Sequence, residues 1–104
     1  MSEGVTVTVT WTIKPECAEA FVVSLRGMFP QTRLHEGFRH ISLLRSEIDP
    51  NQFLLIEGWD EAQNFQDYAK FREGTGDSAN LQAMTAGPPQ IGLWGSGPLA
   101  AAQV

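Results

Sequence analysis

From Val5 to Ile13 the chain alternates without a break, with Val5, Val7, Val9, Trp11 and Ile13 on one face and Thr6, Thr8, Thr10 and Thr12 on the other. A period of two in β-branched residues predicts a strand. The second face is threonine rather than lysine or glutamate, so it is semi-polar and can be covered. Lys14-Pro15-Glu16 then predicts a helix start, because proline is preorganised for the first turn and lacks an N–H that would go unpaired there. Ala18, Phe21, Val22, Leu25, Met28 and Phe29 recur at helical spacing and form one apolar stripe, with Glu16, Glu19 and Arg26 off it. The helix is expected to run to about Phe29, where Pro30 helps to end it. Gln31 to Glu36 is a short connector closed by Gly37.

Phe38 to Glu47 reads as a second strand and Gln52 to Trp59 as a third, joined by the turn-forming residues Asp49-Pro50-Asn51. Asp60 is expected to cap a second helix carrying Ala62, Phe65, Tyr68, Ala69 and Arg72 at three-to-four spacing. Gly74-Thr75-Gly76 breaks it. Asp77 caps a shorter helix of about Ser78 to Thr85, and Gly87-Pro88-Pro89 turns the chain into a last strand near Gln90 to Gly95. The division is a domain over residues 1–96 and a weakly patterned tail over 97–104.

That order predicts an α+β fold, the ferredoxin-like βαββαβ arrangement, with a four-stranded antiparallel sheet carrying its helices on one face. The opposite face of such a sheet should be polar in a lone subunit. Strand three, Phe53-Leu54-Leu55-Ile56-Glu57-Gly58-Trp59, is instead apolar on both sides and calls for a second cover. The simplest cover is another copy, sheet against sheet, in a two-fold homodimer that leaves a pocket between each sheet and its own helices.

Composition narrows the partners. A chain of 104 residues supports one core, and 42% hydrophobic against 18% charged residues is a folding balance. Seven Lys and Arg face twelve Asp and Glu, for a formal charge of -5, and the basic residues are scattered, so nothing resembles a nucleic-acid stripe. Cys17 is the only cysteine, which excludes an intrachain disulfide and fits a reducing compartment; it reads as a small buried hydrophobe. The start, MSEGVTVTVT, lacks signal-peptide character, and no apolar run approaches the roughly 20 residues of a membrane span. The expectation is a cytoplasmic protein with neither a membrane nor a nucleic-acid partner. His35 and His40, the only histidines, are not at a metal-binding or haem-binding spacing, so no metal site is expected.

Several short segments, in order, carry a resemblance: Ile13-Lys14-Pro15-Glu16 after the first strand, Thr32-Arg33 and Glu36-Gly37-Phe38 entering the second, and Leu44-Arg45 with Asp49-Pro50-Asn51-Gln52-Phe53 at the hairpin. Glu57-Gly58-Trp59 then ends the third strand, and Tyr68-Ala69-Lys70-Phe71-Arg72 leads through Gly76-Asp77 to Pro88-Pro89-Gln90-Ile91. Together they resemble the antibiotic biosynthesis monooxygenase family of dimeric α/β barrels, over about Val5 to Trp94. The resemblance implies oxidation of a small phenol, hydroquinone or anthrone by molecular oxygen with no cofactor. A deprotonated, electron-rich ring can itself give an electron to oxygen, leaving the protein to orient, desolvate and hydrogen-bond.

Within that frame Trp59 is the first catalytic candidate, an indole N–H on a flat apolar body, or else a core tryptophan at a strand end. Tyr68 and Arg72, one helical turn apart, could hold a phenolate, or form a surface pair. His40 could serve as a base or be a hydrogen-bonded interior histidine. Phe65, Phe71, Leu55 and His35 are the candidate substrate-binding residues, the phenylalanines having packing as the alternative and His35 an exposed loop. Quinone-forming relatives often carry an Asn and a Tyr where this chain has Leu55 and Phe65. Loss of those donors makes a dimeric small-ligand-binding module without turnover the competing reading. The haem-degrading branch of the family needs an Asn on strand one and a His on helix two, and neither is present.

Overall fold

A computed structural model describes residues 3–102. The elements are β1 (Val5–Thr12), a single 3₁₀ turn (Pro15–Cys17), α1 (Ala18–Thr32), β2 (Phe38–Arg45), β3 (Gln52–Trp59), α2 (Ala62–Thr75), α3 (Asp77–Ala83) and β4 (Gln90–Gly95). The strands form one antiparallel sheet in the order β2-β3-β1-β4, the ferredoxin-like α+β arrangement. The tail beyond β4 is described to Ala102; its last two residues lie outside the described residues.

The alternation in β1 does what the sequence predicts. Val7, Val9 and Trp11 are buried, while Thr6, Thr8 and Thr10 are half-buried on the other side. Opposite them on β3, Phe53, Leu55, Glu57 and Trp59 face the helices. The layer closes through aromatic packing, with Phe21 of α1 edge-on to Trp11 at 5.2 Å between ring centroids and tilted on Phe53 at 5.1 Å. Trp59 meets Tyr68 of α2 at 5.2 Å and Phe38 at 5.7 Å. Cys17 is half-buried rather than fully buried.

Several local details differ from the sequence expectation. Pro15 starts a 3₁₀ turn, and the α-helix proper begins at Ala18. Pro30 does not end α1, which runs on to Thr32. The last-turn carbonyls find partners past the proline: Thr32 Oγ1 and Arg72 Nη2 donate to the Met28 carbonyl at 3.0 Å each, and the Arg33 N–H donates to Phe29 at 3.0 Å. Asp60 does not cap α2. Its carboxylate pairs with Arg39 at 2.7 Å, and Glu61 takes the cap position, donating its N–H to Asn64 Oδ1 at 2.9 Å. Gly74 stays inside α2, and the break falls at Gly76, whose φ of 83° is left-handed; Gly76, not Asp77, then caps α3.

One irregularity decides where a candidate residue goes. The β2–β3 register shifts between Phe38 and His40, so the strand carries one extra residue there. Phe38 therefore faces the helices against Trp59, while His40 comes out on the opposite face with Ser42 and Leu44. Alternation alone puts Phe38 and His40 on one face.

Candidate active site

Between the sheet and its helices lies a cavity of about 260 Å³. Val9 and Trp11 of β1 and Leu55 and Glu57 of β3 form its floor. Met28 and Thr32 of α1, Phe65, Tyr68 and Arg72 of α2, and Leu81 of α3 form its walls. Ile91 of β4 also lines it and is 62% exposed, which places an opening along that edge. An apolar cavity of about 150 Å³ accommodates benzene, so this space fits an aromatic of one or two rings.

Arg72 and Tyr68 sit at the centre of a closed polar network. Arg72 is 5% exposed. Its Nε–H donates to Tyr68 Oη at 2.8 Å, Nη1 to Gln31 Oε1 at 2.9 Å and Asp77 Oδ2 at 2.8 Å, and Nη2 to the Met28 carbonyl at 3.0 Å and Thr32 Oγ1 at 3.1 Å. A guanidinium has five N–H groups, and all five are committed. Thr32 Oγ1 lies 3.0 Å from the Met28 carbonyl and 2.7 Å from Tyr68 Oη, and either hydroxyl can be the donor in the second contact. Tyr68 accepts from Arg72 in both arrangements. Arg72 retains no free donor for a ligand oxyanion. The Arg72–Asp77 pair, with the Thr75 hydroxyl as the larger influence, holds the Asp77 carboxyl below its ordinary range.

Glu57 is the buried group that sequence reasoning missed. It is 3% exposed, lines the cavity floor, and accepts the Trp59 Nε1–H at 2.8 Å through Oε1. Its other carboxylate oxygen takes no hydrogen bond among the described residues. Burial pushes its carboxyl above the ordinary range, and the Trp59 hydrogen bond and the Arg72 charge offset only part of that. The signal was available: position 57 is in phase with Phe53, Leu55 and Trp59, the buried face of β3.

Of the eight residues singled out from the sequence, Leu55, Phe65, Tyr68 and Arg72 line the cavity, and Trp59, Phe71, His35 and His40 do not. Trp59 is fully buried behind the floor, its indole N–H already spent on Glu57. His35 packs edge-on to Tyr68 at 5.0 Å and against Phe71 at 4.6 Å; burial, and then the Arg72 charge, hold its pKa below the ordinary value. His40 lies over Gly58 on the sheet face away from the helices, separated from the cavity by the sheet itself. Among the described residues no three His, Cys, Asp or Glu side chains gather where a metal ion could be held.

Comparison with known proteins agrees with this architecture. The family model described as antibiotic biosynthesis monooxygenase matches residues 4–73. Among curated proteins, none matches the chain significantly. Similar solved structures include a Nitrosomonas europaea protein described as an antibiotic biosynthesis monooxygenase (19% identity, 91% of each chain covered, TM-score 0.83). PA3566 from Pseudomonas aeruginosa shares 24% identity, over 96% of this chain and 98% of that one, with a TM-score of 0.80. SnoaB, described as a cofactor-independent oxygenase from Streptomyces nogalater, shares 18%, over 99% and 97%, with a TM-score of 0.77. At these identities the structures speak for the fold alone, while the family model spans more than half the chain. With its split βαβ order and a cavity between sheet and helices, the chain belongs to the antibiotic biosynthesis monooxygenase family.

Proposed function

We propose that the protein is a cytoplasmic, cofactor-independent monooxygenase that oxidises a small phenolic or hydroquinone-like aromatic with molecular oxygen, working as a homodimer paired through its helix-free sheet faces. The observation that carries the reading is the cavity: about 260 Å³, walled by aliphatic and aromatic side chains, with one buried carboxyl on its floor. Such a space desolvates and orients a ring, which is what a substrate that reduces oxygen by itself requires. SnoaB, a fold relative, is described as a cofactor-independent oxygenase, in keeping with this chemistry. The size of the space favours one- or two-ring substrates over a three-ring anthrone.

Oxygen uptake by metal-free protein, measured with a panel of one- to three-ring hydroquinones and anthrones, tests the reading. Uptake above the uncatalysed rate with the smaller members is expected. Uptake at the background rate with every member overturns it.

One observation favours a second reading, a binding module without turnover. Trp59 and Arg72 commit all their donors within the protein, which leaves the buried part of the cavity short of groups for a developing oxyanion. Native mass spectrometry of protein taken from lysate separates the two: recovery of an unchanged ligand, with no product after aerobic incubation, points to binding.

A further inference from the structure

The buried part of the cavity holds a guanidinium whose donors are spent and a carboxylate oxygen without a partner, while the half-buried Ser78 and the exposed Glu73 and Gln82 line it as well. Trp59 Nε1–H is bound to Glu57, the Tyr68 and Thr32 hydroxyls share one hydrogen bond, and all five Arg72 N–H groups go to protein oxygens. A ligand oxygen carrying negative charge would therefore meet no free donor from Trp59 or Arg72, and would lie beside a second carboxylate. A ligand hydroxyl carrying a proton would meet the unpartnered oxygen of Glu57. We propose that Glu57 is the proton acceptor of this site, that Trp59 is the residue that positions it, and that the cavity selects neutral, hydroxyl-bearing aromatics over their anions.

The proton step balances without any outside reagent. The ligand O–H bond breaks, its electron pair stays on the ligand oxygen, and the proton forms an O–H bond on Glu57; the net charge of the pair is unchanged. Burial without a strong cationic partner makes Glu57 a better base than an exposed carboxylate, since its charged form is under-solvated. The other titratable groups lining the cavity are Arg72, Tyr68 and Glu73, all from α2, and the Arg72 charge is partly answered by Asp77. The strands other than β3, α1 and α3 present only uncharged side chains to it. The inference rests on the aromatic-oxidation reading only for what the phenolate does next.

Binding of para-nitrophenol, followed by the absorbance that distinguishes its neutral and ionised forms, tests the proposal without turnover. For the wild-type protein the affinity should fall about tenfold per pH unit once the phenol itself ionises, because the occupied site holds one shared proton. Glu57→Gln keeps the oxygen that accepts from Trp59 and gains an N–H₂ donor; it should bind the anion and lose that fall. Glu57→Asp, which keeps the carboxylate, should retain it. The same pH dependence in wild type and Glu57→Gln, or failure of the wild-type protein to bind the phenol, overturns the proposal.

Turnover supplies an independent readout. Where a hydroquinone consumes oxygen, kcat/KM should rise with pH through the Glu57 ionisation. Glu57→Gln should remove that limb and lower the rate by about 10²–10⁴. Trp59→Phe, having lost the hydrogen bond that favours the charged form, should move the limb to higher pH rather than abolish it. Oxygen uptake unaffected by Glu57→Gln sinks the base while leaving the oxygenase reading in place. A binding reversal in Glu57→Gln with no oxygen uptake from any hydroquinone leaves the acceptor standing and removes the oxygenase.

Discussion

Glu57 is a buried carboxyl whose contribution to stability has a definite sign. Because its carboxyl is raised above the ordinary 4.5, the folded protein holds a proton there that the unfolded chain has released, over the window from 4.5 up to the raised value. Stability contributed by this residue therefore falls as pH rises through that window. Glu57→Gln should melt at a higher temperature than wild type at neutral pH, with the difference closing below 4.5; thermal unfolding across pH measures it. Tyr68 has a different role. Its hydroxyl is a link between Thr32 and Arg72, so Tyr68→Phe leaves Arg72 Nε–H and Thr32 each short of a buried partner. A loss of about 1–3 kcal/mol in urea unfolding is expected. A neutral substitution would show that water replaces the hydroxyl.

At the scale of elements, the α2 entry is held by an arrangement in which a glycine is required. Gly37 has φ of 82°, its carbonyl accepts the Asp60 N–H at 2.7 Å, and a side chain there would collide with Asn64, whose side chain accepts the N–H of the cap residue Glu61. Gly37→Ala should cost about 1–2 kcal/mol from backbone strain alone, and more because the capping contact must yield; helix content and chemical denaturation report both. Much at this scale was legible beforehand. The unbroken alternation of β1, the turn at Asp49-Pro50-Asn51 and the apolar stripe of α1 each follow from a local period. What failed had a common cause. Pro30 reads as a stop, but α1 runs two residues beyond it, and the Met28 carbonyl before it accepts from Thr32 Oγ1 and from Arg72 of another helix. His40 reads as a neighbour of Phe38, but an extra residue in β2 reverses its face. Glu57 is given no role from the sequence, yet its position in the period of β3 places it in the core.

For the whole molecule the open sheet face is the decisive surface. Leu54 and Ile56 are half-buried there, and Leu44 and Trp94 are 51% and 59% exposed, above a threonine ladder rather than a charged one. An apolar sheet face of this kind is the basis for the proposed sheet-to-sheet dimer. Ile56→Lys puts an ammonium, and its symmetry mate, into the middle of that contact with no partner. In sedimentation at micromolar concentration the wild type should run as a dimer and Ile56→Lys as a single subunit. A wild-type single subunit under those conditions overturns the pairing.

The chain alone determined the element order, the antiparallel α+β architecture and the family, because strand alternation, helical stripes and turn residues are short-range patterns that each segment carries within itself. It also placed Leu55, Phe65, Tyr68 and Arg72 among the candidates. Which protons those side chains have left to give was decided only by the tertiary structure. Arg72 meets Gln31, Thr32 and Met28 across some forty residues of sequence, and Glu57 meets its cavity only once α1 and α2 cover the sheet. A hydrogen-bonding group is free or spent according to its neighbours in space, and a carboxyl is solvated or desolvated by what packs over it; neither is a property of sequence spacing.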